Sequence, residues 1–181
     1  GYLFPDTYEL IPGTGCRELA RRFVTRMLDV YAKSFEARAE SLGLTRHDVI
    51  TMASIVEAEA VVAAERPRIA AVFQNRIRLG MKLQSDPTVA YAMAQRPARI
   101  YEKDLVIESP YNTYLVAGLP PGPICSPGEL SLRAVLYPTP GCRDLYFVAT
   151  GDGHHVFSET NEAHNEARRQ VAAARKSPEG D

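Results

Sequence analysis

Between Val49 and Val62 the chain is apolar almost without interruption, and its only charged residues there are Glu57 and Glu59. A helix that is apolar on nearly every face is normally buried, so this stretch has to run through the core. Thr45-Arg-His-Asp48, just upstream, has the form of a capping box, which predicts a helix from about Arg46 to Ala63. At roughly 100° per residue, Glu57 shares its face with Ile50, Ala53, Ser54, Ala60 and Val61. Glu59 falls nearly opposite, on the side of Asp48 and Arg66. Glu57 is therefore expected inside, or at the lip of, an apolar site with no charged partner. Burial of that kind disfavours the carboxylate and raises its pKa, which is what a general acid needs near neutral pH. The wheel alone is equally satisfied by Glu57 at a helix edge facing solvent. Glu59 is expected on the surface, solvated or salt-bridged.

The remaining elements follow from periodicity and punctuation. Residues 2–8 (YLFPDTY) read as a short edge strand or extended segment interrupted by Pro5. Leu19, Phe23, Met27, Val30, Tyr31 and Phe35 recur at helical spacing, predicting one helix from Cys16 to Leu42, with Gly43 and Leu44 as its C-terminal cap. Pro67 suits the first turn of another helix and Gly80 its end. Ser85-Asp-Pro87 opens a short helix with a capping side chain. Residues 96–125 are loop-like. Ser126-Pro-Gly-Glu129 reads as a second capping box, with its helix stopped by Pro138. Leu145–Ala149 and His155–Phe157 flank Gly151-Asp-Gly153 as a hairpin. Thr160 caps a last helix to about Arg175, and the chain from Lys176 reads as frayed. The sum is an α+β fold, mostly helical with a small antiparallel sheet, in a single domain over 1–181.

Composition narrows the function. With 45% apolar and 24% charged residues the chain is of globular type, and 181 residues suffice to bury roughly 70% of the unfolded surface without disulfides or metal. Its 21 basic against 22 acidic residues argue against a nucleic-acid binder. Cys16, Cys125 and Cys142 are odd in number and lack CxxC spacing, so isolated thiols are expected, with a Cys125–Cys142 bridge as the alternative. His154, His155 and His164 fit no metal-ligand spacing, and His154 and His155 are expected on opposite faces of a strand. No metal and no cofactor are expected. No apolar run approaches a membrane span, no signal peptide is present, and the start without Met reads as an excised domain.

Two loop segments concentrate polar groups. Gln84-Ser-Asp-Pro-Thr88 gathers an amide, a hydroxyl and a carboxylate at a helix start; capping accounts for Ser85 or Asp86 but not for Gln84. Ser109-Pro-Tyr-Asn-Thr-Tyr114 brings two aromatic rings, an amide and hydroxyls together, as carbohydrate sites do and as ordinary turns also do. Gly118-Leu-Pro-Pro-Gly-Pro-Ile124 is a stiff wall or connector.

Taken in order, YLFPDTYEL (2–10), ASIVEAEA (53–60), ERPRIAAVFQNRIRLGMKLQSDPTVAYAM (65–93), SPYNTYLVAGLPPGPICSPG (109–128) and LYFVATGDGHHVFSETNEAHN (145–165) resemble the YceG-like endolytic murein transglycosylase family (MltG) over essentially the whole chain. The resemblance implies a lysozyme-like helix with its catalytic glutamate at Glu57. It also implies a cleft in which Gln84, Ser85, Asp86, Tyr111, Asn112 and Tyr114 orient sugars. Ala58 stands where family members often carry Lys. The implied substrate is the peptidoglycan glycan strand, cut internally between N-acetylmuramic acid and N-acetylglucosamine to leave 1,6-anhydro ends. Penicillin-binding synthases are possible partners. The implied place is the periplasmic face of the inner membrane, reached through an anchor and a small LysM-like lobe that lie mostly before residue 1. A muramidase on the same scaffold, or a non-catalytic glycan-binding module, are the alternatives.

Overall fold

A computed structural model describes residues 1–93, 97 and 100–175. The expected fraying from Lys176 onward lies outside the described residues, as do positions 96, 98 and 99 of the long loop. In chain order the elements are α1 (Cys16–Ser34), α2 (Glu36–Ser41), α3 (Arg46–Glu59), α4 (Arg66–Arg78), α5 (Asp86–Ala92), α6 (Glu129–Leu136), β1 (Tyr146–Ala149), β2 (His155–Ser158) and α7 (Asn161–Ala174). Short 3-10 turns cover Ala63–Glu65 and Glu102–Asp104. The fold is α+β, and β1 and β2 form one antiparallel hairpin pairing Tyr146 with Ser158 and Ala149 with His155. Among the described residues no helix is long and apolar enough to cross a membrane.

The central helix is α3, as its composition requires. Every residue from Val49 to Val56 is buried, with α6 and α4 packed against it. Its capping box forms as expected: the Thr45 hydroxyl accepts from the Asp48 amide at 3.1 Å and the Asp48 carboxylate accepts from the Thr45 amide at 3.2 Å. Two polar residues are also buried in α3, Thr51 and Ser54. The Ser54 hydroxyl donates to the Thr51 carbonyl (2.7 Å) and accepts from the Ile124 amide (2.9 Å), which docks the proline-rich 118–124 segment onto the helix.

Two expectations change. The first helix is not continuous to Leu42: Phe35, at φ −133°, bends it into α1 and α2. The bend lets Val30 and Tyr31 before it, and Phe35 and Ala39 after it, all reach the core. Residues 2–8 take the extended form of the two expected, with no strand partner among the described residues. They are held by Phe4 in the core, by the Tyr8 ring 4.5 Å from that of Phe23, and by the Asp6–Arg26 ion pair (2.7 Å). The second change is that α3 stops at Glu59, four residues early, because Ala60 turns to extended backbone (φ −82°, ψ 115°) toward the start of α4.

The hairpin and α7 pack together as a second layer. Asn75 and Arg76 of α4 tie it to the helical body. The Asn75 amide donates to the carbonyls of Cys142 (2.9 Å) and Asp144 (3.0 Å), and the Arg76 guanidinium donates to that of Leu145 (2.6 Å). Phe147 adds an edge contact to Phe73, with ring centroids 5.7 Å apart. All three cysteines are free thiols.

Candidate active site

The two glutamates of α3 leave the helix on opposite faces and enter opposite environments. Glu57 meets the start of α6. Its Oε2 accepts from the Ser131 hydroxyl (2.7 Å) and from the amide of Gly128, the residue capping α6 (3.1 Å); its Oε1 accepts from Arg66 (3.3 Å). Arg66 also reaches Ser131 (3.1 Å), closing a ring of contacts between α3, α4 and α6. Helix N-termini favour such an anion. Burial pushes the Glu57 carboxyl up, but the Ser131, Gly128 and Arg66 contacts outweigh it and hold the pKa below its ordinary value. The expectation of an unpartnered, protonated Glu57 is thus corrected: it is an ion-paired carboxylate. The expected capping box at Ser126 is corrected with it, since α6 begins at Glu129 with no side-chain cap and the Gly128 amide is satisfied by Glu57.

Glu59, expected on the surface, is crowded by protein and keeps only part of its surface accessible. Burial raises its pKa to about 7, and the neighbouring Asp86 adds to that; the Ser85 hydroxyl bond and Arg76 oppose it without cancelling it. Its place in the last turn of α3 works in the same direction, since a helix C-terminus disfavours negative charge. The Ser85 hydroxyl donates to Glu59 Oε1 at 2.6 Å, so Ser85 sets this carboxyl instead of capping α5. The sequence did carry a sign of this. Met52, Ile55, Val56 and Glu59 lie at i, i+3, i+4 and i+7, one buried stripe with an acid at its end.

A polar cleft of about 480 Å³ opens beside this carboxyl, lined on one side by Arg76, Gln84, Asp86 and Tyr114. Gln84 takes a left-handed backbone (φ 52°), a strained state for a residue with a side chain. Its amide is tied to the Thr113 carbonyl (3.1 Å), and its side-chain oxygen accepts from Arg76 (3.4 Å). Tyr114 donates its hydroxyl to Asp86 (2.6 Å), and burial together with that bond pushes its phenol pKa up. Tyr146, Asn161, His164, Asn165 and Arg168 form much of the other side. A larger, mostly apolar groove of about 530 Å³ lies among Leu42, Leu44, Met52 and Ile77. Its one carboxylate, Asp48, is spent in the α3 capping box, so the polar cleft is the better seat for chemistry.

The structure therefore gathers Gln84, Asp86 and Tyr114 in the cleft, with Ser85 beneath. Asn112 is not brought there. It is fully buried, its side chain donating to the Leu105 (2.9 Å) and Ile107 (2.8 Å) carbonyls and accepting from the Tyr114 amide (3.0 Å). It shapes the loop that aims Tyr114. Tyr111 stands outside the cleft, its ring 4.8 Å from that of Tyr91. His154 and His155 do not point apart: both Nδ1 atoms reach Glu65, at 3.2 and 2.8 Å, because His154 lies just outside the strand where alternation begins. Among the described residues no group of three or more His, Cys, Asp or Glu is placed to hold a metal ion.

A family profile described as "YceG-like family" matches residues 1–170. The chain is 39% identical over 176 residues to a Bacillus subtilis (strain 168) protein named endolytic murein transglycosylase, covering 97% of this chain and 48% of that protein. It is 33% identical over 171 residues to the protein of the same name from Streptococcus pneumoniae (serotype 2, strain D39), covering 91% and 31%. The chain thus spans about half the length of the first of these relatives, and less of the second. The crystal structure of a YceG-like protein from Listeria monocytogenes superposes with a TM-score of 0.86 at 40% identity, over 92% of this chain and 54% of that one. On the profile match, the identities and the shared architecture, the chain belongs to the YceG-like family.

Proposed function

We propose that this domain is a lytic transglycosylase of peptidoglycan, acting within glycan strands, with Glu59 as its single acid/base. The relatives' name, endolytic murein transglycosylase, supports the activity. The observation that carries the residue assignment is a carboxyl held by Ser85 at 2.6 Å, next to Asp86 and Arg76 of a polar cleft of about 480 Å³, with its pKa raised by burial to about 7. A group of that pKa both gives and takes a proton near neutrality.

In this reading neutral Glu59 donates its proton to the glycosidic oxygen between N-acetylmuramic acid and N-acetylglucosamine. The bond from that oxygen to muramyl C1 breaks, and C1 becomes oxocarbenium-like. The muramyl C6 hydroxyl closes onto C1 and returns its proton to the Glu59 carboxylate. The product is a 1,6-anhydro end, no water is consumed, and Glu59 finishes as it began. Ser85 orients the carboxyl. Arg76, which already lowers its pKa, favours the transient carboxylate. Gln84 and the Tyr114–Asp86 pair present an amide and a phenol to the sugar. The substrate lies outside the cytoplasmic membrane, so the reading sets the domain on that membrane's periplasmic face, near the synthases that extrude glycan strands.

Digestion of uncrosslinked strands followed by mass spectrometry tests this. Wild type should release fragments one water lighter than hydrolysed ends. Glu59→Gln should lower the rate at least ~100-fold, whereas Glu57→Gln should keep cleaving. Loss of activity in Glu57→Gln alone would return the role to Glu57, and water-added ends would make the domain a muramidase.

A further inference from the structure

The cleft is electrically two-sided. Asp86 lines it on the side nearest Glu59, which Ser85 holds behind the lining. On the other side, α7 contributes His164 and Arg168, with Asn161 and Asn165 beside them. Arg76 lies between, buried, its guanidinium spent on the uncharged oxygens of Leu83 (2.7 Å), Leu145 (2.6 Å), Lys82 (3.2 Å) and Gln84 (3.4 Å). Burial, then Arg168 and Arg76, hold the His164 ring below its ordinary pKa, so the three groups sit within electrostatic reach of one another.

Like charges gathered in a cleft repel, and although Glu59 acts on Arg76, no carboxylate among the described residues pairs with Arg168, which is exposed. The His164 ring stacks on Tyr146 (5.2 Å between centroids), while its Nδ1 is buried with no hydrogen-bond partner among the described residues. An unpartnered buried nitrogen normally implies a missing partner. The other acid on the cleft, Glu102, is exposed on the 3-10 turn.

We propose that this α7 wall, with Arg168 as its principal cation, is a subsite for a carboxylate carried by the muramic acid residue. Two sources share that chemistry: the lactyl carboxylate of a stripped strand, and the carboxylates of an attached peptide stem. Arg168 then makes the cleft select murein over a neutral β-1,4-linked N-acetylglucosamine chain. The proposal rests on the cleft being the glycan site. It adds a specificity-determining residue that the acid/base chemistry does not use.

Binding to the Glu59→Gln protein, measured by calorimetry at low salt, tests it without turnover. Three probes are compared: chitotetraose, an amidase-stripped murein tetrasaccharide, and the same tetrasaccharide with its peptide stems. The carboxylate-bearing probes should bind more tightly than chitotetraose. Adding Arg168→Gln should weaken them about tenfold, as expected for one charge-assisted contact, and leave chitotetraose within about twofold. Arg168→Lys should recover part of the loss. An effect on only the stem-bearing probe assigns the subsite to the peptide; an effect on only the stripped probe assigns it to the lactyl carboxylate, which an attached stem converts to an amide; an effect on both means that the subsite takes either carboxylate. Equal affinities for all three probes, or an Arg168 effect that is absent or shared by chitotetraose, overturns the subsite and leaves the glycan reading intact. Failure of every probe to bind overturns both.

Discussion

Glu57 and Glu59 are two residues apart on one helix, yet their surroundings move their pKa values in opposite directions. This gives each a distinct stability signature. For Glu59 the folded state holds the proton more tightly than the unfolded chain. Its contribution is therefore full below pH 4.5 and is lost as pH rises to about 7. Glu59→Gln should gain stability relative to wild type across that window and hold the gain above it. Glu57 is the reverse: its ion pair stabilises at neutral pH and the benefit is lost as pH falls below 4.5. Glu57→Gln should cost roughly 1–2 kcal/mol at pH ~7, since the pair is partly exposed, and progressively less on acidification. Thermal melts of the three proteins from pH ~3 to ~8 check both signs; parallel curves would refute the two environments. Gln84 offers a second residue-scale test. Gln84→Gly relieves the left-handed backbone but adds freedom to the unfolded chain. Stability should stay equal or rise by up to ~1 kcal/mol, while activity falls with loss of the amide. A stability loss beyond that would mean the amide is structural.

At the scale of elements, the glycine caps of α2 and α4 and the hydroxyl caps of α3 and α7 were written in local sequence, whereas the side-chain caps expected at Ser85 and Ser126 do not form. Gly43 (φ 67°) and Gly80 (φ 68°) close α2 and α4 with the same double bond pattern. Leu44 reaches back to Ala39 and Gly43 to Glu40; Met81 reaches back to Arg76 and Gly80 to Ile77. A β-carbon at either glycine would meet nothing within 4 Å, so substitution is felt through the backbone alone. Gly43→Ala and Gly80→Ala should each cost about 1 kcal/mol, read as a lower denaturation midpoint at unchanged slope; a much larger loss would point to an unseen packing role. The lengths of α1 and α3 were less legible. Periodicity continues smoothly through Phe35 and through Ala60, and nothing local says stop. The bend at Phe35 serves a core that only the packed helices define. The end of α3 at Glu59 serves the chain's turn toward α4.

For the whole molecule, the cleft lies between a helical body and a hairpin–α7 layer, so its width depends on how firmly the two are joined. Asn75 is the clearest joint, since one buried side chain satisfies the carbonyls of both Cys142 and Asp144. Asn75→Ala should destabilise by about 1–3 kcal/mol, and hydrogen exchange should quicken in the hairpin and α7 more than in α3; uniform quickening would argue against a separable layer. By itself the sequence determined that a buried helix carries two glutamates, where α2, α3, α4 and α7 cap, that the class is α+β, and which family the motifs resemble. Periodicity, turn chemistry and motif order are local properties, so one chain read end to end suffices for them. Only the tertiary structure decided which glutamate keeps a proton. Glu57 takes its partners from Arg66, Gly128 and Ser131, and Glu59 from Ser85, Asp86 and Arg76. A carboxyl's pKa is set by the groups around it in space, and those groups come together only when the helices pack.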